Sequence, residues 1–267
     1  MMPRHRIALP VAGVLTSLIV LAPPALAEGP AATTKPAIDP DAISALKAMG
    51  AYLRTLKTFQ VDANTTDEDV LDDGQKVQSG ATAKIVAQIP NRLFANIDSE
   101  TRGRSYFFDG KTFTLFTNSE NTYATIDAPP TIKGLADVLD KDYGFSVPLE
   151  DIFLWGTPGW KTDAIQKATD VGPSVVEGTT CEQYAFRQAE IDWQIWIQKG
   201  VNPLPRKLVI TTRTDEARPQ HEVVYNWNLA PSFNEGTFKF VPPEGAGKAA
   251  FPKLRTTTAA VRPEGHP

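Results

Sequence analysis

The sequence has one cysteine in 267 residues, three histidines and no excess of basic side chains. The lone Cys181 rules out an intrachain disulfide even in an oxidising compartment. It sits in the strand-like stretch EGTTCEQYAF and reads as a buried structural thiol. His5 and His266 lie near the ends of the chain, so His221 is the only histidine in its body. That is too little for a histidine-built metal centre or a histidine-based triad. With 27 lysines and arginines against 31 aspartates and glutamates, the formal net charge is −4. This balance argues against nucleic acid or an anionic membrane surface as the main partner. There is no glycine-rich phosphate loop, nucleophile elbow or metal motif, so nothing implies a cofactor. Asp151, Asp163, Asp170 and Asp192 could pair for acid–base work, but no spacing singles out a pair. The reading is of a protein that is not an enzyme.

Long apolar runs are also missing. The longest, residues 7–21, is short of the ~20 residues a membrane span needs. It follows Arg4, His5 and Arg6 and precedes Ala25-Leu26-Ala27, the pattern of a cleaved secretory signal peptide over residues 1–27. No cysteine lies near the cut, so no lipid-attachment site is expected, and the mature chain begins at Glu28 in the periplasm without a stable transmembrane segment. Losing Arg4 and Arg6 leaves 25 basic against 31 acidic residues, a formal net charge of −6.

What is present is a run of alternating patterns. Residues 28–38 are small, polar and proline-containing, a flexible lead-in. Asp39-Pro40 supplies an N-cap and a first-turn proline, and Ala42, Leu46, Met49, Leu53 and Leu56 recur at spacings of three and four, predicting one amphipathic helix. After Phe59 the period changes to two. Asp73-Gly74 and Asp109-Gly110 mark hairpin turns, and the acidic stretch Asp67–Asp73 reads as a solvated hairpin tip because its spacing misses a calcium loop. Residues 129–155 break the strand pattern. Ile132, Leu135, Val138 and Leu139 share one helical face, and Leu149, Ile152 and Phe153 belong to a second short helix begun at Pro148. Strands resume after Ala164 and end with GTFKFVPP (236–243), and residues 246–267 turn to glycine, alanine, threonine and proline, a disordered tail. The domain therefore spans 39–245. Its class is α+β: an antiparallel sheet of about ten or eleven strands, too long to stay flat, curled into an open half-barrel with helices on its concave face.

Four stretches carry a resemblance. DAISALKAMGAYLRTLKTFQVDA (41–63), IPNRLF (89–94), YFFDGKTFTLF (106–116) and GTFKFVPPEGA (236–246) resemble, in order, the opening helix and strand, the strand entry, the hairpin and the closing strand of the periplasmic lipoprotein-carrier superfamily. WQIWIQKGVNPLPRKLVI (193–210) resembles an uncharacterised family of predicted periplasmic proteins within that fold. The resemblance implies a curled sheet enclosing a hydrophobic cavity, with helices as a lid, of the kind that shields acyl chains in water. At Ile89 this chain departs from the carriers, which have an arginine immediately before the Pro-Asn pair. Arg92 follows the pair instead.

The stretch RSYFFDGKTFTLF (104–116) has aromatics on both faces of its predicted hairpin. A two-residue turn would place Tyr106 opposite Phe113, with Phe108 and Leu115 on the same face and Phe107 and Phe116 on the other. The expected lining of a cavity is Tyr106, Phe108, Phe113 and Leu115, together with Phe94 and Trp193. Its lid would present Leu135, Val138, Leu139, Ile152 and Phe153. The expected guest is a lipid acyl chain or a lipidated protein, bound by a carrier or sensor. The alternative is an envelope adaptor or stress-sensing module that binds a protein partner by strand addition and holds no lipid.

Overall fold

The computed structural model describes residues 37–251. The signal peptide, most of the lead-in and the tail beyond Phe251 lie outside them. Helix α1 (Pro40–Thr55) begins where expected: the Asp39 carboxylate accepts from the Asp41 N–H at 3.0 Å and Pro40 opens the first turn. Its buried stripe is Ala42, Leu46, Met49 and Leu53, with Gly50 among them. A β-carbon on Gly50 would lie 2.8 Å from the backbone of Gly156, so this glycine lets the helix touch the segment that closes the inner face.

Six strands follow: β1 (Thr58–Val70), β2 (Lys76–Gln88), β3 (Arg92–Ser99), β4 (Gly103–Phe108), β5 (Thr112–Thr117) and β6 (Thr122–Asp127). Helix α2 (Ile132–Val138) runs into a π-helical turn over Leu139–Tyr143, and a single-turn helix α3 (Asp151–Leu154) completes the insertion. Strands β7 (Lys167–Val176), β8 (Thr179–Arg187), β9 (Ile191–Gln198), β10 (Pro205–Thr212) and β11 (Gln220–Asn228) come next. A two-residue strand β12 (Gly247–Lys248) ends the described chain.

All twelve strands form one sheet in the order β12-β6-β5-β4-β3-β2-β1-β11-β10-β9-β8-β7. Every pair is antiparallel except β12 with β6. The two edge strands, β12 and β7, do not pair, so this large curved sheet stays unclosed. The long return from β6 to β7 through the insertion lets β11 close beside β1, which joins two meanders into one surface. The fold is the expected α+β half-barrel.

Three local expectations are corrected. The turn at Asp109-Gly110 pairs Phe108 with Phe113 and Tyr106 with Leu115, two residues off the register of a two-residue turn. The Asp109 carboxylate accepts from the Lys111 and Thr112 N–H groups at 2.9 and 2.8 Å, and this small ring widens the loop. A shift of two leaves every side chain on its predicted face. Second, GTFKFVPP is not a strand: Glu235–Phe238 is a 3-10 turn, and the segment lies across the outer face of the sheet. Third, ordered structure runs past 245, because Gly247–Lys248 pairs with Thr122 and Tyr123, and the Phe251 ring lies 5.6 Å from Phe145.

This strap answers the puzzle of the two-sided aromatic hairpin. Tyr106, Phe108 and Phe113 face the buried inner side. On the outer side the Phe240 ring lies 5.3 Å from Phe107, 5.5 Å from Phe116 and 5.0 Å from Tyr123, and Phe94 packs on Phe107 at 5.2 Å. Arg92 anchors the strap, with its guanidinium 6.0 Å from the Phe238 ring centre and 3.6 Å from the Glu235 carboxylate. Arg92 therefore holds the outer strap, not the inner lid.

Candidate ligand chamber

Alternation puts odd-numbered residues of β1, β2, β3 and β11 on the inner face. There the sequence supplies small side chains: Ala63 and Thr65 on β1, Ala83 and Ala87 on β2, Ala95 on β3. Ala63 pairs with Ala83 on one side and Tyr225 on the other, and Ala83 pairs with Ile97. Side chains this short cannot fill the space up to the covering segment. A cavity of about 570 Å³ remains, walled on the sheet side by Thr65, Ala83, Ile97, Tyr106, His221, Val223 and Tyr225. Asp140, Ser146 to Asp151 and Leu154 line its other side, and it opens to solvent. Its volume falls within the range typical of small-molecule sites. A second cavity of about 170 Å³ is lined by Asp151, Trp155, Gln188, Ile191, Trp193, Leu208 and Ile210. Asp151 is common to both.

The cover is held by polar bonds as well as packing. Arg54, in the last turn of α1, donates to the carbonyl of Phe153 at 2.7 Å and to that of Ile152 at 2.5 Å. These are carbonyls at the end of α3, where a helix has no internal donors to offer. Burial lowers the Arg54 guanidinium from its ordinary pKa. At the other end of the insertion the Ile132 N–H donates to the Pro90 carbonyl at 2.8 Å, and Thr131 caps α2 by accepting from Gly134. The lid is thus tied to α1 and to the start of β3.

The predicted residues separate into three groups. Tyr106 lines the larger cavity and Trp193 the smaller. Phe108 and Phe113 are sealed in the packed core, Phe113 against Phe145 and Phe251, and Leu115 is half-buried against them. Phe94 is the departure: it pairs with Phe107 on the outer face and cannot reach an inner cavity. Among the lid residues, Leu135, Leu139, Ile152 and Phe153 are buried in the core. Val138 is half-exposed, because it lies six positions, about two-thirds of a turn, around the helix from Ile132. Ala136 takes that place on the buried stripe. The cavity walls that sequence reasoning missed are Thr65, Ala83, Val223, Tyr225 and the acidic residues of the lid. Only for Ala83 was there a signal, a small residue at an inward position of ATAKIVAQ.

Electrostatically the chamber is acidic. Burial pushes the Glu150 carboxyl up; a hydrogen bond from Ser146 opposes this, and Asp151, Asp140 and Asp137 add to it. Asp151 is solvent-exposed and lines both cavities; crowding by the surrounding protein raises its carboxyl, offset in part by His221. Tyr225, wholly buried beneath, is raised well above a normal phenol by burial and by the Asp151 charge. His221 bonds through Nδ1 to Asp67 at the rim. Cys181 is buried and its thiol is raised by burial. Among the described residues no helix is long and apolar enough to cross a membrane.

A family model described as "Predicted periplasmic protein (DUF2092)" matches residues 42–252. The chain belongs to this family. Its described domain, from α1 to Phe251, is the DUF2092 fold, and the protein is periplasmic. No curated protein matches the sequence. Among solved structures the domain is similar to LprF from Mycobacterium bovis, at 14% identity and a TM-score of 0.43, over 79% of this chain and all of that one. It is similar to the Mycobacterium tuberculosis lipoprotein LppX at 10% identity and a TM-score of 0.41, over 73% of this chain and all of that one. It is also similar to the LolA superfamily protein NE2245 from Nitrosomonas europaea, at 10% identity and a TM-score of 0.36, over 74% of this chain and 97% of that one.

Proposed function

We propose that this DUF2092 protein is a non-enzymatic periplasmic carrier or sensor that holds the acyl chain of a lipid or lipidated protein beneath its lid. The observation that supports this most directly is the cavity of about 570 Å³ between the inserted segment and Thr65, Ala83, Ile97, Tyr106, Val223 and Tyr225 of the sheet. Ten methylenes removed from water contribute about 8 kcal/mol before ordering costs; if half survives, the chain alone is held with about millimolar affinity, and head-group contacts add to it. The resemblance of the opening helix, the hairpin and the strand entry to lipoprotein carriers agrees with the reading. So does a leader over residues 1–27, which would deliver the chain to a compartment where lipids must be shielded from water.

A second reading has an observation of its own. Among the described residues strand β7 is a sheet edge bridged by Ile38 at Ala168, and it exposes Val171 and Val175. Such an edge fits a protein partner that adds a strand, as an envelope adaptor would. Native mass spectrometry of protein purified from the periplasm without detergent separates the two. A reproducible extra mass that organic extraction removes and identifies as lipid supports the carrier. A bare mass that also fails to take up fatty acid or lysolipid overturns it and leaves the adaptor.

A further inference from the structure

After crossing the outer face, the C-terminal strap turns round the β6 edge and ends on the inner one. Phe240 sits over Phe107, Phe116 and Tyr123 outside, whereas Phe251 lies against Phe113, Tyr143 and Phe145 inside. A turn over Pro243 to Ala246 makes the passage: the Ala246 N–H donates to the Pro243 carbonyl at 3.1 Å, and Gly245 has a φ of 72°, where a side chain would be strained. The Asn121 side-chain amide, at the corner before β6, donates to the Glu244 carbonyl at 3.3 Å. Strand β12 then grips the edge through the Gly247 and Ala249 N–H groups, which donate to the Asn121 and Tyr123 carbonyls at 2.9 and 2.7 Å.

What Phe251 rests on is the lid. Its ring lies edge-on to Tyr143 at 5.0 Å and stacks on Phe145 at 5.6 Å. Both belong to the stretch between Asp140 and Ser146, two residues of the larger cavity's wall, while Phe251 itself lines neither cavity. Arg54 ties the lid at α3 and the Ile132 N–H ties it at Pro90, so Phe251 adds a hold between those two. The strap's own attachment is shallow. From Phe238 to Phe251, only Phe238, Phe240, Ala246 and Phe251 are withdrawn from solvent. A segment with so few buried contacts and a two-residue parallel pairing opens at a small part of the cost of global unfolding.

We propose that the strap is a release latch for the chamber, a step that rests on the carrier reading above. Docked, Phe251 presses the Tyr143–Phe145 turn onto the sheet and the guest is retained. Undocked, it frees that wall and the guest leaves. Linkage makes the effect reciprocal, so a guest against the wall also holds the strap down.

The test compares the parent with Phe251→Ala and Phe251→Leu, and with Val241→Ala at an exposed strap position as the control. Each protein is loaded with dansyl-undecanoate, and loss of the probe on dilution is followed by stopped-flow fluorescence. Phe251→Ala is expected to speed dissociation about tenfold and hydrogen exchange of residues 139–149 by a similar factor, with Phe251→Leu between and Val241→Ala unchanged. In the parent, bound probe should slow exchange of residues 247–251. Unchanged exchange over 139–149 in Phe251→Ala overturns the latch and leaves the chamber standing. Faster exchange with an unchanged dissociation rate also overturns it, since the strap would then only brace the lid. A probe that binds none of the proteins overturns the carrier reading and the latch with it. If Phe251→Ala fails to fold, the leucine variant and the parent's exchange response to the probe decide the matter.

Discussion

The inner face of the sheet is solid at one end and hollow in the middle. Over β4 and β5 the Phe113 ring lies 6.3 Å from Tyr106, 6.1 Å from Phe145 and 6.0 Å from Phe251, and Phe108 is fully buried beside it. Over β1, β2 and β11 the same face carries Thr65, Ala83 and Val223, and the inserted segment faces them across a cavity. Both regions have the same backbone pairing and the same kind of roof. Short side chains at Thr65 and Ala83 leave room there, whereas the Phe113 ring meets other rings at the solid end.

That contrast can be broken at the solid end first. Phe113→Ala is expected to cost about 3–5 kcal/mol of unfolding free energy, measured by urea denaturation, because the surrounding rings cannot collapse onto the gap. Phe113→Asp should prevent folding altogether by burying an unpaired charge. A loss below about 1 kcal/mol would show that Phe113 faces an adaptable space like the one in the middle of the sheet.

Next in size is the tie between roof and helix. Arg54→Met keeps much of the apolar stem but removes two charge-assisted bonds to the Ile152 and Phe153 carbonyls, and is expected to cost about 2 kcal/mol. Faster hydrogen exchange of residues 150–155 and stronger binding of an apolar dye should accompany it. Unchanged exchange there would mean that packing through Leu135, Leu139, Ile152 and Phe153 holds the lid without the arginine.

The hollow end should respond in the opposite sense. Ala83→Phe adds a ring where the cavity has room, so stability should stay within about 1.5 kcal/mol of the parent while amphiphile binding drops at least about tenfold. Unfolding instead would show that the space cannot accept a ring and is smaller than its walls define. The smallest effect is expected from Asp151→Asn, a slightly higher Tm at pH 7. Asp151 and Glu150 have folded pKa values raised above their unfolded values, so their contribution is fully favourable below about pH 4 and is lost as pH rises through the folded values. The variant should flatten that part of the stability–pH curve. A steeper fall would mean that the Asp151 charge is paired in the folded protein.

Much of the architecture was legible because it depends on local periodicity. Asp39-Pro40 and the Ala42–Leu46–Met49–Leu53 stripe specify α1, and alternation in IDWQIWI specifies which side of β9 is buried. The register error at Asp109 left the faces intact because a strand repeats every two residues. Harder to read were places where distant segments meet. Phe94 looks like a cavity residue until pairing puts it on the outer face beside Phe107, which Phe240 of the strap covers. GTFKFVPP alternates like a strand, yet β11 already pairs with both β1 and β10, so no open position beside them is left for it.

By itself, then, the sequence determined an amphipathic helix, a long antiparallel sheet with an inserted helical cover, and the identity of the residues on each face, since all of these follow from spacing along one chain. The tertiary structure alone decided that Ala83 of β2 faces the insertion across a cavity, that Arg54 reaches its carbonyls, and that Asp151 and Trp193 line one cavity. The physical reason is that hollowness and charge complementarity are properties of the gap between segments. Residues 42 positions apart in the chain, as Asp151 and Trp193 are, carry no local pattern that announces their meeting.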